Sequence, residues 1–205
     1  MSISVEQIND SKQISVEGML PAIAHRWSPR SFKETPVSAH DIKIILEAAR
    51  WTASSSNLQP WRFFVGIKGS ETHRKIFETL MPANQPWAGK PHILLLGFAY
   101  TKDAKGNTNN YALHDLGQAL SALVLQAIAL GLATHSMAGF HHHAARHAFN
   151  IPEDYALGAV TAIGYQDSPD TLPNDQLRER EVAPRHRKLL SEIALIELDK
   201  PFAIE

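Results

Sequence analysis

Residues 92–100 read HILLLGFAY, a nearly continuous apolar run between Pro91 and the polar stretch 101–109. Such a run is expected of a strand buried on both faces. Two further runs, RFFVGI at 62–67 and ALGAVTAIGY at 156–165, also read as strands; two Phe and a Val favour pleated backbone in the first. Helical signals lie between them. Ser38 with Asp41 forms a capping-box-like pair, and Ile42, Ile45, Leu46 and Ala49 follow on one helical face. Ser70 caps a second helix running to about Leu80, and a long third helix spans 113–131. A short apolar helix covers 19–24. The stretches 52–60, 81–91, 101–109 and 166–184 read as loops or polar connections, and 189–205 begins helical and ends extended over 195–202. Interleaved strands and helices predict a layered sheet-plus-helix domain.

Residues 116–133 contain no charge. Gly117, Gln118, Ser121, Gln126 and Gly131 interrupt them and Asp115, not a basic cluster, flanks their start, so the stretch reads as a core helix covered on nearly all sides rather than a membrane span. The 205 residues suit one domain spanning 1–205, with 1–15 as an N-terminal extension and 194–205 as a tail. Lys plus Arg is 20 against 21 for Asp plus Glu, a net charge of −1 that argues against a general nucleic-acid or anionic-membrane binder. The absence of Cys excludes a disulfide scaffold, a catalytic thiol and Cys-ligated metal centres. The opening MSISVEQINDSKQ shows no secretory signal, so the expected setting is cytoplasmic. Neither G-x-G-x-x-G nor a P-loop pattern occurs.

Three polar segments could carry chemistry. In His25-Arg26-Trp27-Ser28-Pro29-Arg30-Ser31-Phe32, guanidinium forks and a hydroxyl suit a phosphate dianion, although a solvated basic turn would read the same. Ser54-Ser55-Ser56-Asn57-Leu58-Gln59 precedes Pro60-Trp61 and offers enough donors and acceptors to read the edge of a heterocycle. Arg185 and Arg187, in Pro184-Arg185-His186-Arg187-Lys188, share a side only if that segment is extended. His141, His142, His143 and His147 contain only one i, i+4 pair, His143 with His147, and read as surface or helix-start residues rather than a metal site. His135 either faces a pocket or is a satisfied buried histidine. The four tryptophans read as packing groups, with Trp87 and the Tyr100–Tyr111 region weak candidates for substrate contact.

Taken in order, these segments resemble the nitroreductase family of FMN-dependent oxidoreductases. The family pattern R-[RH]-S-x-R-x-F is matched by RWSPRSF at 26–32, and A-P-S-S-x-N-x-Q-P-W-x-F by TASSSNLQPWRF at 52–63. GLATHSMAGF at 131–140, IPEDY at 151–155, AIGY at 162–165 and PRHRKLLSEI at 184–193 extend the likeness over roughly 16–193. Two positions depart from the pattern. Trp27 stands where the family has Arg or His, so one phosphate donor is lost or replaced by a backbone N–H, and Ala53 stands where it has Pro.

The resemblance implies an α+β three-layer sandwich with a central, mostly antiparallel sheet, and a homodimer whose C-terminal tails are swapped onto the partner. It implies FMN at the subunit interface, with NADH or NADPH as a transient donor. Arg26, Ser28, Arg185 and Arg187 would hold the phosphate, with Trp27 in the same turn; Arg30 would stand beside the pyrimidine ring, where Asn57 and Asn84 would bond its edge. Ser54 and Ser55 would reach the partner's flavin. Met137, Ala138 and Gly139 would turn backbone N–H groups toward flavin N5. No side chain would be the catalyst: hydride would pass through N5 to an acceptor such as a nitroaromatic or quinone by ping-pong exchange. The alternative is a flavin-binding or sequestering protein on the same scaffold without nicotinamide turnover.

Overall fold

The computed structural model describes residues 3–203. Helix α1 (Val5–Lys12) and the short α2 (Pro21–His25) precede α3 (Ala39–Arg50), strand β1 (Trp61–Ile67), α4 (Glu71–Thr79), the single turn α5 (Gln85–Ala88) and β2 (Ile93–Tyr100). Then come α6 (Ala112–Ala129), β3 (Ala133–Met137), α7 (His142–Phe149), β4 (Tyr155–Gly164), α8 (Asp175–Val182) and a small hairpin of β5 (Leu195–Glu197) and β6 (Lys200–Pro201). Side-chain caps start several helices: Ser4 forms a full capping box with Gln7, and Ser38, Ser70 and Asn174 accept the N–H three residues on.

The four main strands pair in the order β1-β2-β4-β3, every neighbour antiparallel. Along β2 the side chains alternate between two cores. Ile93, Leu95 and Ala99 meet Ile45 and Ala49 of α3 and Leu116, Ala119, Leu123 and Ala127 of α6. Leu94, Leu96 and Phe98 meet Ile76 of α4, Leu80 just after it, Trp87 of α5 and Ala145 of α7. The result is helix, sheet, helix: an α+β three-layer sandwich. Close approach requires glycine at two points. A Cβ at Gly66 would lie 2.5 Å from the His73 Cα, where α4 crosses β1, and one at Gly158 would lie 2.6 Å from Leu116 of α6.

The expected strands and the three longer helices are present within a residue or two of their sequence bounds. Strand β3 falls where only a turn was read, α1, α5 and α8 fall in segments read as extension or loop, and α7 falls where His141–His143 read as surface or helix-start residues. The reading of residues 116–133 as a core helix covered on nearly all sides does not hold within one chain. Ala112, Asp115, Leu116, Ala119, Leu123 and Ala127 of α6 face inward, while Leu113 is 51% exposed. By length and composition α6 could cross a membrane, but its inner third packs on the sheet of this domain.

Two buried groups fix the extended segment 26–31. Glu181 of α8 is fully buried, and its carboxylate accepts the N–H of Arg30 (2.9 Å), the N–H of Ser31 (3.0 Å) and the Ser31 hydroxyl (2.7 Å). His135 of β3 places Nδ1 3.0 Å from the carbonyl of Pro29 and tilts against Trp87. Burial, with Arg30 adding repulsion, pushes the His135 imidazole down to about 4, so it is neutral and donates from Nδ1. Helix α1 joins the same corner: Lys12 Nζ donates to the Ala183 carbonyl, and the Trp27 indole N–H donates to Asn9 Oδ1 at 2.8 Å.

Replacing Glu181 by Ala strands three buried donors, which costs about 2–4 kcal/mol. Thermal unfolding of Glu181→Ala should show a midpoint lowered by roughly 5–10 °C, given about 2–4 °C per kcal/mol at this chain length; an unchanged midpoint would contradict the clamp. His135 generates a pH dependence. The unfolded chain protonates it near 6.5 and the folded chain only near 4, so stability is full above about 6.5 and drains as the pH falls toward 4, by about 3 kcal/mol in all. Urea titrations at pH 4.5 and 6.5 should therefore differ less for His135→Asn than for the wild type.

Candidate functional site

Along 26–31 the extended backbone sends successive side chains to opposite sides. Arg26, Ser28 and Arg30 are half-buried, while Trp27, Pro29 and Ser31 are buried. Arg26 Nη1 lies 3.4 Å from Ser28 Oγ. On the opposite side, His25, Trp27 and Pro29 wall a cavity of about 470 Å³ together with Val5 of α1, Gln13 just after it and Leu132 before β3. The Trp27 ring belongs to that side, with the Lys12 ammonium 5.0 Å from its centroid.

The even-numbered side gathers positive charge from both ends of the chain. Burial lowers the Arg26 guanidinium, and Arg187 lowers it further. Arg185 is lowered by burial, then by Arg26 and Arg187. Arg30 is lowered by burial, against which Glu181 works. Arg26, Arg185 and Arg187 therefore stand within electrostatic reach of one another, and among the described residues none of the three pairs with a carboxylate. Arg185 is aimed by the carbonyl of Lys12, which accepts from its Nη1 at 2.6 Å, and Arg187 Nη1 donates to the His186 carbonyl. Three neighbouring guanidinium groups with no carboxylate partner could hold an anion, and a phosphate dianion suits guanidinium forks.

From this cluster β3 leads to the next group. His135 feels both Arg30 and Arg26, and two residues on, Met137 ends the strand and Ala138 and Gly139 form the turn. The Gly139 carbonyl accepts from the Met81 N–H and from Asn84 Nδ2, both at 3.0 Å. A Cβ on Gly139 would sit 2.8 Å from that Asn84 nitrogen. Asn84 and Met137–Gly139 are thus one unit, and a strip runs from Arg26 through Arg30 and His135 to the turn.

Ser54, Ser55 and Asn57 are elsewhere. Ser55–Asn57 form a 3-10 turn whose Ser55 N–H donates to the buried Asp115 carboxylate at 3.0 Å, in the first turn of α6. Residues 25–29, by contrast, share the cavity with Ile128 and Gly131 at the other end of α6. Thirteen residues of helix separate Asp115 from Ile128, about 20 Å. One chain therefore places the arginines and the Ser-Asn loop at opposite ends of its longest helix.

Sequence reasoning missed Glu181 and Asp115, since a single carboxylate within a charged or apolar helix forms no pattern. His135 resolves as the satisfied buried histidine. Trp87 is 1% exposed inside the core and cannot touch a substrate, whereas Tyr111 is 58% exposed beside α6. Among the described residues no group of three or more His, Asp or Glu side chains could hold a metal, and His142 stacks on Phe140 at 4.4 Å.

Comparison with known proteins places this geometry. The model of the nitroreductase family matches residues 23–89 and 79–165, so Arg185 and Arg187 lie beyond the matched segments. A nitrobenzene nitroreductase of Ectopseudomonas oleovorans is 27% identical over 76% of this chain and 88% of its own. An NADH dehydrogenase of Thermus thermophilus is 26% identical over 70% and 84%. A crystal structure described as an oxidoreductase containing FMN superposes with a TM-score of 0.83 at 34% identity, over 90% of this chain and 94% of the other. With the family pattern spanning most of its length and the same layered fold, the chain belongs to the nitroreductase family.

Proposed function

We propose that this protein is an FMN-dependent NAD(P)H oxidoreductase of the nitroreductase type. The observation that carries the reading is the set of Arg26, Arg185 and Arg187, drawn together from the two ends of the chain with no carboxylate among them. FMN brings the anion that this set lacks, and when bound it supplies hydride transfer between a reduced nicotinamide and an organic acceptor, in alternating half-reactions. Nitroaromatics and quinones are acceptors consistent with the relatives.

The chain's own residues bind and orient. Arg26, Arg185 and Arg187, with the Ser28 hydroxyl, hold the phosphate. Arg30, kept in place by Glu181, sets a positive charge beside the ring and favours its anionic reduced form. Trp27 contributes no side-chain donor there, since its indole is engaged by Asn9. The Met137–Gly139 turn, tied down by Asn84, presents backbone to the ring, and its small residues leave room for close approach.

The cofactor site is completed by a second copy. About 20 Å of α6 lies between the helix end beside the arginine segment and the end that holds Ser54, Ser55 and Asn57 in one chain, a separation that favours a loop supplied by a partner. Two further features support a homodimer with C-terminal tails laid on the partner. On the outer side of α6 Leu113 is exposed beside the small residues Gly117, Ser121 and Ala129, and Leu195, Ile196, Leu198 and Phe202 in or beside the β5-β6 hairpin are all exposed. Isologous pairing along α6 would bury both. A cytoplasmic setting, where reduced nicotinamide is available, suits this reading.

The purified protein should be yellow with about one FMN per chain, and anaerobic NADH or NADPH should bleach it; bleaching by dithionite alone would favour a flavin-binding protein without nicotinamide turnover. Arg26→Ala and Arg187→Ala each remove a charge-assisted contact of about 1.5–3 kcal/mol. Fluorescence titration should show FMN affinity weakened tenfold or more, and unchanged affinity in both would move the phosphate elsewhere. Arg30→Ala should largely keep FMN and lower the flavin midpoint potential; a potentiometric titration without a shift would remove Arg30 from that role.

A further inference from the structure

The Ser54–Gln59 loop has a backbone that its residues do not favour. Ser56, Asn57 and Gln59 have φ of 49°, 55° and 47°, left-handed conformations that only glycine adopts freely. Asn tolerates this region, Ser and Gln much less. Three such residues within four positions do not persist without neighbours that over-determine the shape. Inside the loop, Ser54 Oγ accepts the Gln59 N–H at 3.0 Å, and Gln59 Nε2 donates to the carbonyl and the side-chain oxygen of Asn57. Outside it, Arg62 donates to the Gln59 carbonyl at 3.1 Å. All of these groups are exposed to water and weak as restraints.

The exception is Asp115, which is 1% exposed at the start of α6. Its Oδ2 accepts the Ser55 N–H at 3.0 Å, across sixty positions of sequence, and its Oδ1 lies 3.1 Å from His114 Nδ1. A buried carboxylate needs donors, and a charge-assisted bond in a dry setting is the strong kind. Asp115 therefore anchors the loop at its first helical position, from which the left-handed residues project.

We infer that Asp115 is a positioning residue for the cofactor site of the other subunit: it holds the strained Ser54–Gln59 loop in the shape that presents its hydroxyls and amide to the flavin bound by the partner's arginines. The inference rests on the flavin reading above and adds the group that pre-organises the loop. Pre-organisation matters here because a loop ordered only on binding would subtract its ordering cost from the affinity.

The test uses FMN affinity, read by quenching of flavin fluorescence on the intact protein, together with a thermal melt of each apo-protein. Asp115→Ala should weaken FMN binding about tenfold, the equivalent of one charge-assisted bond. Asp115→Asn should bind nearly as wild type, because its Oδ1 still accepts the Ser55 N–H and its Nδ2 can donate to His114. Should Asp115→Ala fold poorly, Ser55→Pro deletes the same bond from the other end. Ser55 is the first residue of its turn, where proline is tolerated, and Ser54 is already extended at φ −144°, ψ 155°; Ser55→Ala controls for the hydroxyl.

A mixed dimer decides between the subunits. One chain carries Asp115→Ala and the other Arg187→Ala. With the loop acting on the partner, one site combines intact arginines with an intact loop and binds FMN at wild-type affinity, at half stoichiometry. With the loop acting within its own chain, both sites are damaged and no tight site remains, which would overturn the inference. Wild-type affinity in the Asp115→Ala homodimer would overturn it as well. If the Arg187→Ala and Arg26→Ala homodimers also bind as wild type, the flavin site itself is misplaced, a result separable from failure at Asp115 alone.

Discussion

Glu181 has no exposed surface, and its carboxylate is solvated by two backbone N–H groups and one hydroxyl instead of water. A charge so placed is tolerated only because each donor is in position. Those donors belong to Arg30 and Ser31, about 150 residues earlier in the chain, so the carboxylate can be buried only when both ends of the chain have met. The Lys12 ammonium donates to Ala183, two residues past Glu181, and the Lys12 carbonyl accepts from Arg185. Helix α1, the 26–31 segment and the run after α8 therefore close as one unit. What this unit produces is the gathering of Arg26, Arg185 and Arg187.

That gathering is unfavourable by itself. Burial removes water from Arg26 and Arg185, and each raises the cost of charging the others. The protein sets like charges against one another at one end of α6 and holds three left-handed residues under tension at the other. Neither feature improves the fold of a single chain. Both would be explained if an anion neutralises the first and a partner's cofactor uses the second, so strain and charge point to the proposed site where the cavity does not. The cavity lies behind the arginine segment, on the side of Trp27 and Pro29.

The sheet was legible because β2 is apolar at every position and β4 nearly so, and a strand buried on both faces leaves that trace. Strand β3 was not, because Ala-Thr-His-Ser-Met is short and mixes small with polar residues; the ring that covers its buried His135 is Trp87, which no local pattern announces. Helix α8 was hidden for a sharper reason. Its inward positions are Leu177 and Glu181, and a helix whose buried face carries a glutamate reads as solvated throughout. Helix α6 shows the opposite ambiguity, since apolar residues on all sides look alike whether they face the same chain or a second one. In the candidate site the arginines were legible as ordered motifs, while Asp115 and Glu181, which set the shape of the segments bearing those motifs, were not. The two carboxylates act on backbone N–H groups, and a backbone donor has no letter in the sequence.

The division of the site along α6 has a thermodynamic consequence. A ligand that binds only the assembled state stabilises that state by mass action. On the proposed reading the anion would relieve repulsion among arginines of one subunit, while the ring would meet a loop of the other. Folding of the corner around Glu181, pairing of two chains along α6 and retention of the cofactor would then be linked steps rather than independent ones, each raising the population on which the next depends. The outer face of α6, with its exposed Leu113, and the exposed tail would, on this argument, be parts of the cofactor site as much as the arginines are, because without the contact they would make the loop held by Asp115 has no flavin to meet.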